Sequence, residues 1–581
     1  MRATGRAGGK VPAVSDQTKR RGRAAAWTLA GILTVGLALR LWGIRSGLPV
    51  AFNLDEYAHF TVSAVKMFGG GHNPNYFQNP PAFTYLLQVI LSIAYLTPPI
   101  GSVGSGIQQA FTTDPTTIYT IARVTAALMG VGAAWVLYFA GRRLWGTGVG
   151  LTAAAFLTFT FLPVHYSHFA LNDVPTLLPL ALGLFGLAGV IQQGRALDYG
   201  IAGLGLGLAT GTKYTAAALS VSIFAAWAIR FFDDRERGKR EFLYLVLAAG
   251  VSLAAFVIVN PFAVLDPHKF VYDMRRQQDL SAGVAKLGTD DTSGWAYYAW
   301  TLTWGFGIVP LLMAIAGAGL ALKKDWRRSL PFVLFALLVF LFMGKQLRFY
   351  ARWMMPIYPV LALFAGYFAI EAAKWLAPKF DKYVKDAALT YAAVAVMGVA
   401  LVGPLVHVIH NDRVLARTDT RQLAKEWILE NVRTRDKIAF DLVGPPPYYK
   451  QNDAASGDPA FTIRPLPRGT EIEKYAQNLS PAVLDSFERD GYCWVVSASI
   501  QKGRVTKDPS KAPGAAAYYS ALERRGEKVA SFSPMKPGRS VPQFNFDISY
   551  NYFPLAYYRP GPQIDVYRLT GGKCATKKSQ T

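Results

Sequence analysis

Pro80-Pro81-Ala82-Phe83-Thr84-Tyr85-Leu86-Leu87-Gln88-Val89-Ile90-Leu91-Ser92-Ile93-Ala94-Tyr95-Leu96-Thr97-Pro98-Pro99 is the stretch on which the arrangement of the chain turns. Its apolar part, Ala82 to Leu96, is fifteen residues long and bracketed by proline pairs, whereas a helix needs about 20 apolar residues to cross a bilayer. If it crossed, every basic cluster after it would change sides. Read as a helix lying on the outer membrane surface, it leaves the rest of the chain consistent and defines a long first external loop, about 45–115.

Working outward, residues 1–24 form a polar tail carrying Lys10, Lys19, Arg20, Arg21 and Arg23 before the apolar run Ala25 to Ile44. No small-residue cleavage site follows, so the run reads as an uncleaved anchor with the N-terminus in the cytoplasm. Further apolar runs lie at 116–141, 147–166, 173–192, 197–212, 214–231, 242–260, 296–322, 329–344, 351–373 and 387–409, giving about eleven spans. In this scheme Arg142-Arg143, Arg235 to Arg240, Lys323 to Arg328 and Lys374 to Lys385 all face the cytoplasm, as positive-inside bias requires. The odd count puts the C-terminus outside. From about 411 the sequence turns polar, with an amphipathic helix over Thr420 to Asn431 and strands over Lys437 to Leu442, Tyr492 to Ala498 and Gln563 to Leu569. The expected fold is a polytopic α-helical membrane protein, with 25–410 as its membrane part and surface-lying helices in the first loop, plus an extracytoplasmic α/β domain over 411–581.

Composition agrees. Of 581 residues, 52% are hydrophobic and 17% charged, against about a quarter charged in soluble proteins. A soluble enzyme is excluded. The 61 Lys+Arg against 37 Asp+Glu fall in clusters between apolar runs, which is a topology signal and not a nucleic-acid surface. The 53 Gly and 34 Pro are scattered through apolar segments, where membrane helices tolerate them. With two cysteines, Cys493 and Cys574, neither a disulfide scaffold nor a cysteine metal cluster is available. Their pairing is left open; Cys493 in a strand and Cys574 in a polar tail lean against a bond.

Candidate chemistry sits on the external side. Asn53-Leu54-Asp55-Glu56-Tyr57 opens a helix expected over Glu56 to Phe68 and places two carboxylates near the membrane surface; the plainer alternative is that Asn53 or Asp55 caps that helix. His165-Tyr-Ser-His168-Phe-Ala-Leu-Asn172-Asp173-Val-Pro175 offers Asp173, again with a capping alternative, and two histidines three apart that could share a face. Lys213 lies in a short external hairpin, and Arg348 and Arg352 are four apart, hence on one helical face. Cations outside run against the positive-inside bias. Each singly is explained by snorkelling; three together suit an anionic group such as a phosphate. The loop after Asn260-Pro261, with Asp266, His268, Arg275, Arg276, Asp290 and Asp291, reads as an ordinary solvated loop that could close over such a site, and Pro445-Pro-Pro447 as a rigid turn.

At these residues the chain resembles the GT-C glycosyltransferases of the dolichyl-phosphate-mannose protein mannosyltransferase type (glycosyltransferase family 39), whose bacterial members include the aminoarabinose transferases. The likeness runs over about 25–410 through Leu54-Asp55-Glu56, His168 to Pro175, Gly211-Thr-Lys213-Tyr and Arg348 through Pro356-Ile-Tyr-Pro359; Thr420 to Asn431 and Gly561 to Leu569 resemble the distal domains of bacterial members. The resemblance implies a plasma-membrane enzyme, bacterial in type, using a polyprenyl-phosphate sugar donor on the non-cytoplasmic face. Asp55 would be the general base, with Glu56 supporting it, and Lys213, Arg348 and Arg352 would hold the donor phosphate. Phosphate leaves without a protonating acid of the glycosidase kind, so Asp173 would position the acceptor or hold a cation, and one base predicts inversion. His165 and His168 belong to no pattern of the family and are grouped with Asp173 as acceptor- or cation-positioning residues. The acceptor is an envelope glycan or lipid, with protein Ser/Thr as the alternative. No organic cofactor and no nucleic acid is expected; a divalent cation on oxygen ligands stays open. The rival from another class is a lipid or ion transporter, which would place its charges nearer the midplane.

Overall fold

The computed structural model describes residues 16–96, 106–282, 287–289, 293–381, 384, 387–441, 443–450, 461–466, 479–550 and 552–575. Lys10, Pro98-Pro99, Asp290, Asp291, Lys382, Lys385 and Leu442 therefore lie outside the described residues. Every apolar run expected to span is helical. Among the described residues seven helical stretches, against about eleven expected spans, are long and apolar enough to cross a membrane, the first being Gly22–Leu41 and the last Ala388–Asn431. Thr147–Phe159, Leu177–Gln192 and Ala196–Thr212, expected as spans, are shorter. Ile308–Gly344 is continuous except at Asp325, whose φ −154°, ψ 80° breaks it into the two expected spans.

Backbones pack closely through glycine. A Cβ on Gly205 would meet Gly183 N at 2.2 Å, and one on Gly203 would meet Ala248 O at 2.3 Å. Helices Leu177–Gln192, Ala196–Thr212 and Arg235–Val259 thereby interlock, the small-residue packing that replaces hydrophobic driving force inside lipid.

The four basic clusters gather at one end of the bundle. Arg143 pairs with Asp198 at 2.7 Å and donates to Gln193 Oε1, while the Gln193 backbone carbonyl accepts from Arg237. Arg327 reaches Asp233 at 3.0 Å, and Lys324 and Lys374 share Glu371. Arg123 lies on the same helix as Arg143, Thr116–Trp145, so the first loop, which Arg123 anchors, sits about 30 Å from that basic end.

In the first loop, Ala82–Ala94 buries Phe83, Leu87, Gln88 and Leu91 and exposes Val89 and Ile93. At 13 residues it is about 20 Å long, short of the hydrocarbon thickness. The helix expected over Glu56 to Phe68 is broken into Leu54–Ala58 and Phe60–Lys66. His59, at φ −122°, ψ −102°, makes the break and stacks its ring on Tyr76, centroids 4.2 Å apart.

The C-terminal part follows the last long helix, Ala388–Leu415, with Thr420–Asn431 as expected. Its sheet comprises β1 (Lys437–Phe440), β2 (Thr462–Pro465), β3 (Trp494–Ala498), β4 (Gly526–Phe532) and β5 (Ile564–Leu569), in the order β2-β1-β3-β5-β4. β1 is parallel to β2 and β3; β5 is antiparallel to β3 and β4. Contrary to the expectation against a bond, Cys493 and Cys574 form a disulfide, Cα atoms 5.4 Å apart. Antiparallel pairing explains it: Leu569 N donates to Cys493 O at 2.8 Å, so the chain leaving β5 emerges beside the start of β3, and the turn Gly572–Cys574 folds the second thiol back within reach.

Candidate functional site

Asn53 caps Leu54–Ala58: its Oδ1 accepts from Asp55 N at 3.1 Å and Glu56 N at 3.3 Å. Capping thus falls to Asn53, and both acidic side chains are released for other partners. Successive residues on a helix point about 100° apart, so they part at once. Glu56 is fully buried and takes a two-bond fork from Arg123, Nε to Oε1 and Nη2 to Oε2 both at 2.8 Å, while Oε1 also accepts from Ala170 N at 2.8 Å. Arg123 donates further to Ile44 O and Ser46 O. Glu56 therefore pins the first loop to Thr116–Trp145 and to the segment leading into Asp173. It does not line the cleft that Asp55 faces.

Asp55, with 46% of its side chain exposed, pairs with Arg352 on a cleft of about 760 Å³. Arg352 Nε also lies 3.7 Å from Asp173 Oδ2, and Lys213 Nζ pairs with Asp173 Oδ1. Arg348, Tyr350, His59 and Tyr76 also line it. Local folding explains each placement. Lys213 follows the last turn of Ala196–Thr212 in extended conformation, φ −153°, ψ 120°. Asn172 Nδ2 donates to Thr212 O at 2.7 Å and ties the Asp173 segment to that hairpin. Arg352 sits on the 3₁₀ turn Ala351–Ile357, its guanidinium 5.2 Å from the Tyr350 ring centroid and 5.8 Å from that of Tyr166. Arg348 is set by its own backbone N–H, which donates to Ser281 O at 3.0 Å. It lies on an irregular segment ahead of that turn, so the cleft and not a shared helical face unites it with Arg352.

Among the described residues three cations and two carboxylates line this cleft, an excess of positive charge suited to a bound anion. Burial lowers the pKa of His59, partly offset by Asp55, and the ring is the neutral form near pH 7. Burial likewise raises the Tyr76 phenol, which stays protonated and able to donate.

The histidines lie elsewhere. His165 Nδ1 is 3.1 Å from Asn411 Oδ1, and His168 Nε2 is 2.9 Å from Trp42 O and 3.6 Å from Asp412 Oδ1. Both are buried where the first and last long helices meet the short helix Phe161–Tyr166. The helix ends at Tyr166 and the chain turns before Asn172, so Asp173 reaches the cleft while the histidine face stays in the core. Among the described residues no three His, Cys, Asp or Glu side chains are gathered to hold a metal ion. Sequence reasoning missed His59, Tyr76 and Tyr350. His59 is four residues from Asp55, a spacing that flags it on a helix; Tyr76 carried no signal.

The helical bundle with its long first loop has the GT-C fold, as its likeness to two solved structures shows. Residues 118–261 match the family model described as dolichyl-phosphate-mannose-protein mannosyltransferase. The ArnT structure from Cupriavidus metallidurans bound to undecaprenyl phosphate superposes with a TM-score of 0.51 at 15% identity, covering 94% of this chain and 98% of that one. The Archaeoglobus fulgidus oligosaccharyltransferase in the apo form gives 0.51 at 12% identity, covering 87% of this chain and 73% of that one. No curated protein matches the chain in sequence.

Proposed function

We propose that this chain transfers a sugar from a polyprenyl-phosphate donor to an acceptor hydroxyl, with Asp55 as general base and inversion at the anomeric carbon. The observation that carries the reading is the half-exposed Asp55 carboxylate on the wall of a cleft into which Lys213, Arg348 and Arg352 converge. The similar ArnT binds undecaprenyl phosphate, the chemistry of donor assigned here.

The cations hold the phosphate and stabilise the charge it gains as the sugar–oxygen bond breaks. Asp173, paired with Lys213 and near Arg352, holds the two cations in place before donor arrives. Arg352 contacts Asp55 as well; once phosphate draws that guanidinium, the Asp55 carboxylate is released to take the acceptor proton as its oxygen attacks the anomeric carbon. Glu56 positions Asp55 through its pair with Arg123 and touches no substrate. The catalytic cleft faces outward, with the N-terminus cytoplasmic and the C-terminal unit outside a bacterial plasma membrane; the acceptor is an envelope glycan or lipid.

The test is release of free polyprenyl phosphate from a panel of polyprenyl-phosphate sugars incubated with envelope material and purified protein, wild type against Asp55→Asn. Release by wild type and its loss in folded Asp55→Asn supports the reading and names the sugar. Equal release returns Asp55 to a structural part, and no release with any donor favours transport.

A further inference from the structure

A second, larger cleft of about 1580 Å³ shares Asp55, Tyr350 and Arg352 with the first and opens between the first loop and the C-terminal unit. Asp55 thus stands on a wall common to both. The far side of the larger cleft is made by Val443 to Pro446, which follow β1, and by Ile500, Gln501 and Arg504, which follow β3.

This placement follows from the sheet. β1 and β3 are parallel neighbours, but the chain leaves β1 toward β2 on one side and leaves β3 toward β4 and β5 on the other. The two connections diverge and leave a crevice beyond the carboxyl ends of β1 and β3, the position where open parallel sheets bind ligands. Asp441 braces its floor: the buried carboxylate accepts from Ala498 N at 3.0 Å and Ser497 Oγ at 3.1 Å, and Tyr519 OH lies 3.2 Å from it. The crevice opens directly onto Asp55.

The lining indicates what enters. Tyr550 is stacked on Phe546, centroids 6.0 Å apart at 15°, and the Arg504 guanidinium lies 5.3 Å from the Phe546 centroid. Fixed aromatic rings beside guanidinium and amide groups match a sugar, whose C–H face packs on the negative face of a ring while its hydroxyls bond polar groups at the rim. Of the described lining residues, Arg352 and Arg421 lie on stretches long and apolar enough to span, so the spanning stretches give the cleft no apolar side chain for a lipid tail to follow. Edge strands β2 and β4 contribute none of the described lining, so an extended peptide finds no edge to pair with.

We propose that the C-terminal unit binds a saccharide chain as acceptor in this crevice, Tyr550 and Arg504 holding its terminal residues so that one hydroxyl meets Asp55. The proposal rests on the glycosyl-transfer reading and names its acceptor class.

The experiment uses the purified full chain and two readouts. Neutral pentose and hexose oligosaccharides, Ser/Thr peptides and phospholipid vesicles are titrated first for binding and then for stimulation of polyprenyl phosphate release. Saturable binding of one oligosaccharide is expected, weakened roughly tenfold by Tyr550→Ala and by Arg504→Ala and retained by Tyr550→Phe, with donor affinity unchanged in all three. Its KM as acceptor should rise in parallel while kcat holds. Saturable binding of peptide or vesicles alone, no oligosaccharide binding, or equal loss of donor affinity in Tyr550→Ala overturns the proposal. Oligosaccharide binding that Tyr550→Ala abolishes, with no donor turned over, would keep the crevice and overturn the transfer reaction instead.

Discussion

Asp55 and Glu56 are neighbours in sequence and occupy opposite regions of the molecule. Glu56 lies in a sealed joint, fully buried, with its carboxylate satisfied by Arg123 and Ala170. Asp55 lies in an open one, where carboxylates and guanidinium and ammonium groups share partners and some exposure remains. In the joint both carboxylate oxygens have fixed donors, so the pair serves rigidity; in the cleft Arg352 and Lys213 can exchange a protein carboxylate for a ligand. The difference lies in which face of one short helix each residue occupies, and it divides a Asp-Glu dipeptide into a chemical group and its mount.

The largest effect should separate those two. Asp55→Asn keeps the helix cap, because the cap is Asn53, and removes the base: about 10²–10⁴-fold loss of transfer rate is expected with unchanged thermal stability and donor binding. Glu56→Gln breaks a buried charge pair and leaves Arg123 uncompensated, at about 3–5 kcal/mol, so folded yield and Tm should fall while kcat per folded molecule changes within about threefold. Transfer assays paired with thermal unfolding check both. If Glu56→Gln lost rate as steeply as Asp55→Asn in a protein of unchanged Tm, the division would be wrong.

A second contrast lies inside the cleft. Lys213→Ala removes a phosphate contact and should raise donor KM by about 10- to 100-fold, the scale of one charge-assisted bond. His168→Asn, in the core beside Trp42 and Asp412, should lower Tm and leave donor KM within about twofold. Donor titration of the two variants ranks them, and a KM effect in His168→Asn would bring the histidines back to the site.

The apolar runs were legible because lipid admits no backbone without internal partners, although of the about eleven expected spans seven helical stretches among the described residues are long and apolar enough to cross. The same topology assembled Asp55, Asp173, Lys213, Arg348 and Arg352 on one side, and they do line one cleft. Direction within a turn was not legible: whether Glu56, His165 and His168 face cleft or core depends on where a one-turn helix stops. The break at His59 hides for the same reason, since nothing in Glu56 to Phe68 marks it. β4, mostly exposed along its length, gives no alternation to read, and the disulfide depends on strand order, which one sequence does not reveal.

The disulfide closes 81 residues of sequence separation within the C-terminal unit. Cys493→Ser with Cys574→Ser should cost about 2–4 kcal/mol by restoring entropy to the unfolded chain. Because it ties the start of β3 to the end of β5, at the end of the sheet away from the crevice connections, unfolding of this unit should shift while Asp55-dependent donor turnover persists below the new transition. Loss of turnover at temperatures where the unit is still folded would mean that the crevice is shaped from that end as well.

The last effect concerns a sealed group behind the open one. Asp547 is fully buried, its Oδ1 accepts from Ala351 N at 3.3 Å next to Arg352, and burial raises its carboxyl to about 7. The unfolded value is near 3.9. The folded protein therefore binds more protons than the unfolded chain between those limits, and stability falls as pH rises from about 4 to 7, by at most about 1.4 kcal/mol per pH unit. Above pH 7 both states are ionised and the slope vanishes. Asp547→Asn should flatten this part of the profile and, by keeping an oxygen for Ala351 N–H, hold the Arg352 turn in place. Thermal unfolding of both proteins between pH 5 and 8 measures the slope, and identical profiles would show that burial does not move the Asp547 carboxyl from its value in solvent. A shallower slope in Asp547→Asn with unchanged donor KM would show that the mount behind Arg352, like Glu56 behind Asp55, can be altered without touching the cleft.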